Sequence, residues 1–162
     1  MSENLEQRRL AAFFLGDTRC MCVTTNLDAV TESPKNFRIF PGTKPYFSGN
    51  ARLGRDLVSY FHLPTFFGLA GQKSEASQDE HPTDFVLRDP LSPSMVGLHT
   101  DGIVAFVPVI ELKDADPAGL SIPSKLAPYC TGVVEYQGAM WALVCLETII
   151  RDNNFRSVEL PA

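Results

Sequence analysis

The amino-acid sequence predicts an α+β fold, a largely antiparallel sheet or small barrel of about six to eight strands with two helices, one N-terminal and one over residues 51–62. Three observations carry that expectation. Ile103–Leu112 and Thr131–Ile150 are long apolar runs rich in β-branched residues, the composition that suits a pleated surface. Each adjoins a tight turn signal, Asp101-Gly102 and Gln137-Gly138, and Asp-Gly supplies the positive φ that a type I′ hairpin turn needs. Eight of the twelve prolines fall between residues 64 and 128, which favours short strands and defined loops there over long helices.

Taken in chain order, residues 4–15 read as an amphipathic helix. Asn4 is its cap, Glu6 sits in the first turn, Leu5, Ala12, Phe13 and Leu15 form the apolar side, and Gly16 ends it. Arg19–Thr25 and Ala29–Thr31 read as strands around the Asn26-Leu27-Asp28 turn, and Asn36–Phe40 as another before Pro41-Gly42 turns the chain. Over 51–62, Leu53, Leu57 and Phe61 recur at i, i+4, i+8 behind the caps Ser48 or Asn50, and Pro64 stops the predicted helix. Thr65–Gly71 is apolar and open between strand and buried loop. Gln72–Asp84 is polar, without apolar periodicity, and reads as a mobile surface loop over 72–84. Phe85–Leu87, Met95–Thr100, Ile103–Ile110, Thr131–Tyr136 and Ala139–Ile150 are the remaining predicted strands. Pro108 places its strand at an edge or bulge, and Ala139–Ile150, apolar on both faces, reads as a central strand. With no repeat and no linker, residues 1–162 form one predicted domain.

Composition bounds the function. The net charge of −5 is uneven, with eight Lys/Arg and six Asp/Glu in residues 1–60 against six and thirteen in 61–162. A phosphate-tracking surface needs a surplus of cations, so nucleic-acid binding is not expected. Four cysteines, no apolar leader and no Asn-x-Ser/Thr site point to a reduced, cytoplasmic protein. The longest apolar stretch, Ala139–Ile150, is too short for a membrane span and contains Glu147. Charged residues are 20% while 44% are hydrophobic and eleven are Phe, more apolar material than a monomer's core requires, which points to an interface.

Several constellations invite chemistry. Cys20-Met21-Cys22 places two thiols on one side of a strand, but lacks the further ligands of a zinc or redox site and reads as inert core. His99 beside Asp101 can orient a thiol such as Cys130 or Cys22, yet Thr, His and Asp beside a turn ordinarily serve its hydrogen bonds. Asp79-Glu80-His81 with Asp84 lacks the spacing of a calcium loop and reads as solvated surface. No catalytic residue, metal or cofactor is expected. Lys44, Gly49, Asn50, Arg52 and Arg55 gather around the N-terminus of the predicted helix 51–62 and form a candidate anion site. The pairs Phe13-Phe14 and Phe66-Phe67 each force one ring to find a second apolar environment, which makes Phe14, Phe66 and Phe67 candidate interface anchors.

The reading is a non-enzymatic protein-interaction or assembly domain that self-associates as a homo-oligomer or docks on a larger protein partner, such as a viral structural component or host-directed inhibitor. The alternative is a small-ligand enzyme or binding protein using the anion site.

Overall fold

Six consecutive apolar residues, Leu10–Leu15, cannot leave either side of a strand in water, and the chain resolves this by giving each sheet a core on both faces. The computed structural model describes residues 8–71 and 83–160. One sheet contains β1 (Arg9–Leu15), β2 (Thr18–Val23), β8 (Ile103–Pro108), β9 (Lys113–Asp114), β10 (Cys130–Tyr136) and β11 (Ala139–Val144), in the order β8-β1-β2-β11-β10-β9. The second contains β3 (Leu27–Glu32), β4 (Phe47–Leu53), β5 (Asp56–His62), β6 (Thr83–Arg88) and β7 (Met95–His99), in the order β3-β6-β7-β5-β4. Helices are short: α1 (Leu63–Phe66), α2 (Leu146–Arg151) and α3 (Asn153–Arg156). Most neighbours are antiparallel, but β2 runs parallel to β11 and β5 parallel to β7.

The first sheet has to curl. Laid flat, six strands put their outer members about 24 Å apart. The outer strands β8 and β9 are joined by residues 109–112 alone, which reach about 18 Å at full stretch and here include a 3-10 turn over Val109–Glu111. The hollow of the resulting half-barrel holds Ala12, Phe14, Met21, Val107, Val134 and Trp141. The inner face of the second sheet holds Val58, Tyr60, Val86 and Met95, with Phe37 packed against them. Between the sheets lies the largest cluster, where Ala11, Phe13, Leu15, Cys20 and Cys22 meet Phe61, Phe85, Leu87, Val96 and Leu98. Phe13 of β1 and Phe85 of β6 touch edge to face at 5.0 Å, a favoured geometry for aromatic pairs.

The C-terminal helices cap this middle layer. Phe155 stacks on Tyr46 and meets Phe61 at a tilt, and the Tyr46 hydroxyl donates to the Phe155 carbonyl at 2.8 Å. Arg156 grips Asp89 through two parallel bonds, at 3.1 and 3.0 Å, and also donates to the Ile150 carbonyl.

Several expectations are corrected by this architecture. Residues 51–62 are not a helix: they contain the β4/β5 hairpin, in which Arg52 pairs with Leu57 and Leu53 with Asp56. Its turn, Gly54-Arg55, has positive φ at Gly54, as a type II′ turn requires. Of the predicted helix over 4–15, residues 4–7 lie outside the described residues and Arg9–Leu15 is β1. The N-terminal error arises because a strand apolar on two faces presents residues at every spacing, the helical one included; over 51–62 the i, i+4, i+8 spacing instead runs across a hairpin turn, and Leu57 is exposed. Asp101-Gly102 is no hairpin turn. It carries the chain from β7 in one sheet to β8 in the other, and Asp101 is tied to the β1 end by its amide bonding the Phe14 carbonyl and its carboxylate accepting the Gly16 amide at 2.6 Å. Asn26–Asp28 likewise lies where the chain leaves β2 for the other sheet. Asn36–Phe40 contributes one bridge, Arg38 to Asn50, in place of a strand. Ala139–Ile150 divides at Cys145 into β11 and α2. Of the predicted loop over 72–84, residues 72–82 lie outside the described residues, and Thr83 and Asp84 open β6, with Asp84 buried. Gln137-Gly138 does close the β10/β11 hairpin, with positive φ at both residues.

Gly97 allows the second sheet's inner core to form, because a Cβ there would intrude into the ring of Tyr60. Gly97→Ala is expected to lower stability by about 1–3 kcal/mol through overpacking; an unchanged urea midpoint would contradict this packing.

Candidate interaction surface

A sheet edge exposes unpaired N–H and C=O groups, and proteins guard such edges with charge, shortness, bulges or cover. Among the described strands, three of the four edges are guarded in this way. Strand β9 is two residues long and consists of exposed Lys113 and Asp114. Strand β3 carries exposed Asp28 and Glu32. Strand β4 carries exposed Arg52 and receives the Arg38 bridge. Strand β8 differs. From Ile103 to Ile110 it has no charged or hydroxyl-bearing side chain, its only strand neighbour among the described residues is β1, and what interrupts it is a bulge at Val104, where the pairing with β1 shifts register, and Pro108 at its end.

The bulge at Val104 divides β8: Ile103 pairs with Phe13 and packs on the middle core, whereas Ala105 pairs with Ala12 in the half-barrel. Ala105 and Val107 point into the half-barrel core, while Val104 is 52% and Phe106 45% exposed. Phe106 pairs with Ala11, whose side is covered by the second sheet, so Phe106 extends the middle layer's apolar surface past the point where the second sheet covers it, and Val104 adds exposed apolar surface at the bulge beside it. Ile110, 63% exposed, prolongs the stripe beyond the strand. A second apolar feature is a cleft of about 230 Å³ lined by Leu10, Met21, Cys22, Val23, Leu143 and Cys145. It opens where β2 and β11 part, their pairing being limited to Ala142 with Cys20 and Leu143 with Met21.

The aromatic anchors expected from sequence serve the chain's own core. Phe14 lies 5.7 Å from Trp141, Phe67 lies 5.7 Å from Tyr129, and Phe66 packs edge-on against Tyr46 and Phe155. Phe14 and Phe67 are buried. The candidate anion residues are distributed along a hairpin: Gly49, Asn50 and Arg52 on β4, Arg55 in the turn, and Lys44 in the preceding loop, where its amide bonds the Val158 carbonyl. No helix begins there, so the helix dipole that motivated an anion site is missing. Sequence reasoning missed Val104 and Phe106 as a surface because it could not say which face of β8 is covered.

Polar groups gather at one end of the second sheet. His99 Nδ1 lies 2.9 Å from Asp84 Oδ1 and 2.9 Å from Ser33 Oγ, and Ser33 Oγ donates to Asp84 Oδ1 at 2.8 Å. Serine and carboxylate therefore meet the same ring nitrogen. A proton relay needs them on opposite nitrogens, so this triangle fastens the loop after β3 to β6 and β7. His62 stacks on His99 at 4.7 Å and its Nδ1 accepts from the Thr65 amide at the start of α1. The pairing of His99 with Asp101 is corrected: its partner is Asp84. The thiols are poor nucleophiles, since burial raises Cys20 well above the ordinary thiol range and, with the nearby Cys145, pushes Cys22 to about 12. Cys20 and Cys22 do share a face, inside the middle core.

Two outcomes follow from these environments. Native protein at pH 8 is expected to leave Cys20 and Cys22 unalkylated by iodoacetamide while denatured protein reacts at both, as peptide mapping would show; rapid native labelling of either would contradict their burial. Burial works against the Asp89 charge, but hydrogen bonds from Arg156, the Leu91 amide and Ser92 hold its carboxyl below the ordinary value. A depressed carboxyl contributes stability above the unfolded pKa of about 3.9 and loses it as pH falls through the folded value. The stability difference between wild type and Arg156→Met is therefore expected to be full above about pH 4 and to shrink below it; a difference independent of pH would contradict the pairing.

No family model matches the chain. No curated protein matches it either. Among solved structures, the chain is similar to the scaffolding protein TtCheW from Thermoanaerobacter tengcongensis, at 13% identity and a TM-score of 0.69, over 91% of this chain and 90% of that one. No helix among the described residues is long and apolar enough to cross a membrane. At that identity the likeness establishes architecture: the chain has a mostly-sheet, two-sheet fold of the kind found in that scaffolding protein.

Proposed function

We propose that this chain is a non-enzymatic protein-interaction domain of the scaffold type, docking on a protein partner or on another copy of itself through the open edge of β8. The observation that carries the reading is the contrast among the sheet edges. Three are guarded by charge, brevity or cover, while β8 presents an uncharged strand flanked by exposed Val104 and Phe106. An edge of that kind accepts an extended segment from another chain, main-chain bonds supplying affinity and alternate side chains supplying selectivity. The likeness in fold to a scaffolding protein over most of both chains supports the same reading. Nothing in it requires a cofactor or a covalent step.

The test is co-purification. Tagged wild type and Phe106→Lys, expressed in the native host, are crosslinked and recovered side by side. The lysine places a charge on the edge without entering the core, so unfolding free energy is expected to stay within about 0.5 kcal/mol of wild type. Specific partners, including untagged copies of the chain, are expected to fall at least about tenfold, a loss of roughly 1.4 kcal/mol of binding. Undiminished recovery would contradict the assignment of β8 as the docking edge.

A further inference from the structure

We propose that the polar end of the second sheet's inner core is a binding site for one enclosed water molecule, held by Tyr60, Thr31 and Asp84 and separate from the β8 edge. Buried polar atoms in proteins nearly always have a partner, and one that lacks it within the chain calls for a bound water or ion. Among the described residues, five buried side-chain atoms have no hydrogen-bond partner: Thr31 Oγ1, Tyr60 Oη, Thr83 Oγ1, Asp84 Oδ2 and Trp141 Nε1. Two of these stand apart, since Thr83 points to the opposite face of β6 from Asp84 and Trp141 belongs to the half-barrel. The other three converge.

Strand register brings them together. Thr31 and Asp84 are directly opposed on β3 and β6, so their side chains leave the sheet on one side. Val86, two residues on from Asp84, places that side in the inner core with Tyr60. Tyr60 reaches them across β7: it pairs with Gly97, which in turn pairs with Val86, and its ring occupies the space that a Cβ on Gly97 would fill. The hydroxyl at the far end of that ring is carried toward β6. Burial, and then the Asp84 charge, hold the Tyr60 phenol above its ordinary value, as expected of a proton-bearing hydroxyl close to a carboxylate. Asp84 meets the site with one oxygen only, because its Oδ1 is engaged by Ser33 and His99.

The donor and acceptor count selects the occupant. Asp84 Oδ2 accepts from whatever fills the site, whereas each hydroxyl has a proton to give. A bare cation would take lone pairs from all three oxygens and leave both hydroxyl protons without an acceptor. A water gives one proton to Asp84 Oδ2 and accepts from Tyr60 and Thr31, the roughly three bonds typical of internal water. A larger ligand is shut out, since Tyr60 and Asp84 are each 1% exposed. The water completes a hydrogen-bonded line from Tyr60 through Asp84 to Ser33 and His99, joining β5 to β6, to β7 and to the loop after β3.

Isosteric variants of the full chain test the site, because an orphaned hydroxyl and a bridged one respond with opposite sign. Removing a buried hydroxyl that bonds nothing relieves its desolvation and raises stability, whereas removing one bonded to an internal water lowers it. Tyr60→Phe and Thr31→Val are each expected to reduce the folding equilibrium constant about three- to tenfold in urea unfolding. The double variant is expected to lose less than the product of the two, since both act through one water. A crystal structure of the wild-type chain is expected to show one solvent peak within hydrogen-bond distance of Tyr60 Oη, Thr31 Oγ1 and Asp84 Oδ2. Exchanging sodium chloride for choline chloride at equal ionic strength is expected to leave the urea midpoint unchanged. A gain in stability in either single variant, or no peak in the crystal, overturns the site. Stabilisation by sodium over choline overturns water as its occupant and assigns a cation.

Discussion

The edge-to-face contact between Phe13 and Phe85 stands at the centre of a constraint that organises the whole molecule: each sheet must be dry on both sides. β1 buries Ala11, Phe13 and Leu15 against the second sheet while Ala12 and Phe14 fill the half-barrel. β5, β6 and β7 do the same from the other side, sending Phe61, Phe85 and Leu98 to the middle and Tyr60, Val86 and Met95 inward. Each fully buried large side chain contributes about 1.5–3 kcal/mol, so no single contact dominates. What the middle layer imposes is alignment. Curling the first sheet, crossing between sheets at Asn26–Asp28 and at Asp101-Gly102, and folding the C-terminal helices over Tyr46 all serve to close that layer.

The same constraint explains how much of the structure was readable in advance. Four strands after residue 85, β7, β8, β10 and β11, were legible because β-branched residues mark them independently of periodicity, and Gln137-Gly138 is the hairpin its residues require, whereas the two-residue β9 left no signal and the apolar run after Val144 turns into α2. The predominance of sheet was legible for the same reason. Leu10–Leu15 was not, since burial on two faces erases the period-two alternation that distinguishes a strand from a helix, and Leu53–Phe61 was not, because its helix-like spacing runs across the turn of a hairpin and includes the exposed Leu57. Asp101-Gly102 shows a different limit. Its residues specify a tight reversal, but whether the next strand returns beside the last or enters another sheet depends on the Gly16 amide and Phe14 carbonyl far away in sequence. Phe66 and Phe67 were visible as unusual, yet only the position of Tyr46, Phe155 and Tyr129 decides that their second environment is internal.

The candidate surface has a similar history. Pro108 marked β8 as an edge or a bulge from sequence, and the strand is an edge with a bulge at Val104; an edge becomes a candidate docking surface only through its exposed face and the absence of charge. The exposed face depends on the second sheet ending short of Phe106. Charge placement reinforces the contrast, because acidic residues on β3 and the Lys113-Asp114 pair on β9 deter pairing where none is wanted. The proposed interaction role needs this asymmetry, one edge free of charge and the others closed to indiscriminate aggregation.

Amide hydrogen exchange across Ile103–Val107 is the most direct measurement. In dilute, isolated protein the outward-facing amides of β8 are expected to exchange far faster than those of the enclosed strands β2 and β11. In the associated state, concentrated or recovered with its partner, they are expected to become protected while β3, β4 and β9 remain unchanged. Protection that appears at another edge, or β8 amides as protected in dilute solution as those of β2, would contradict the account.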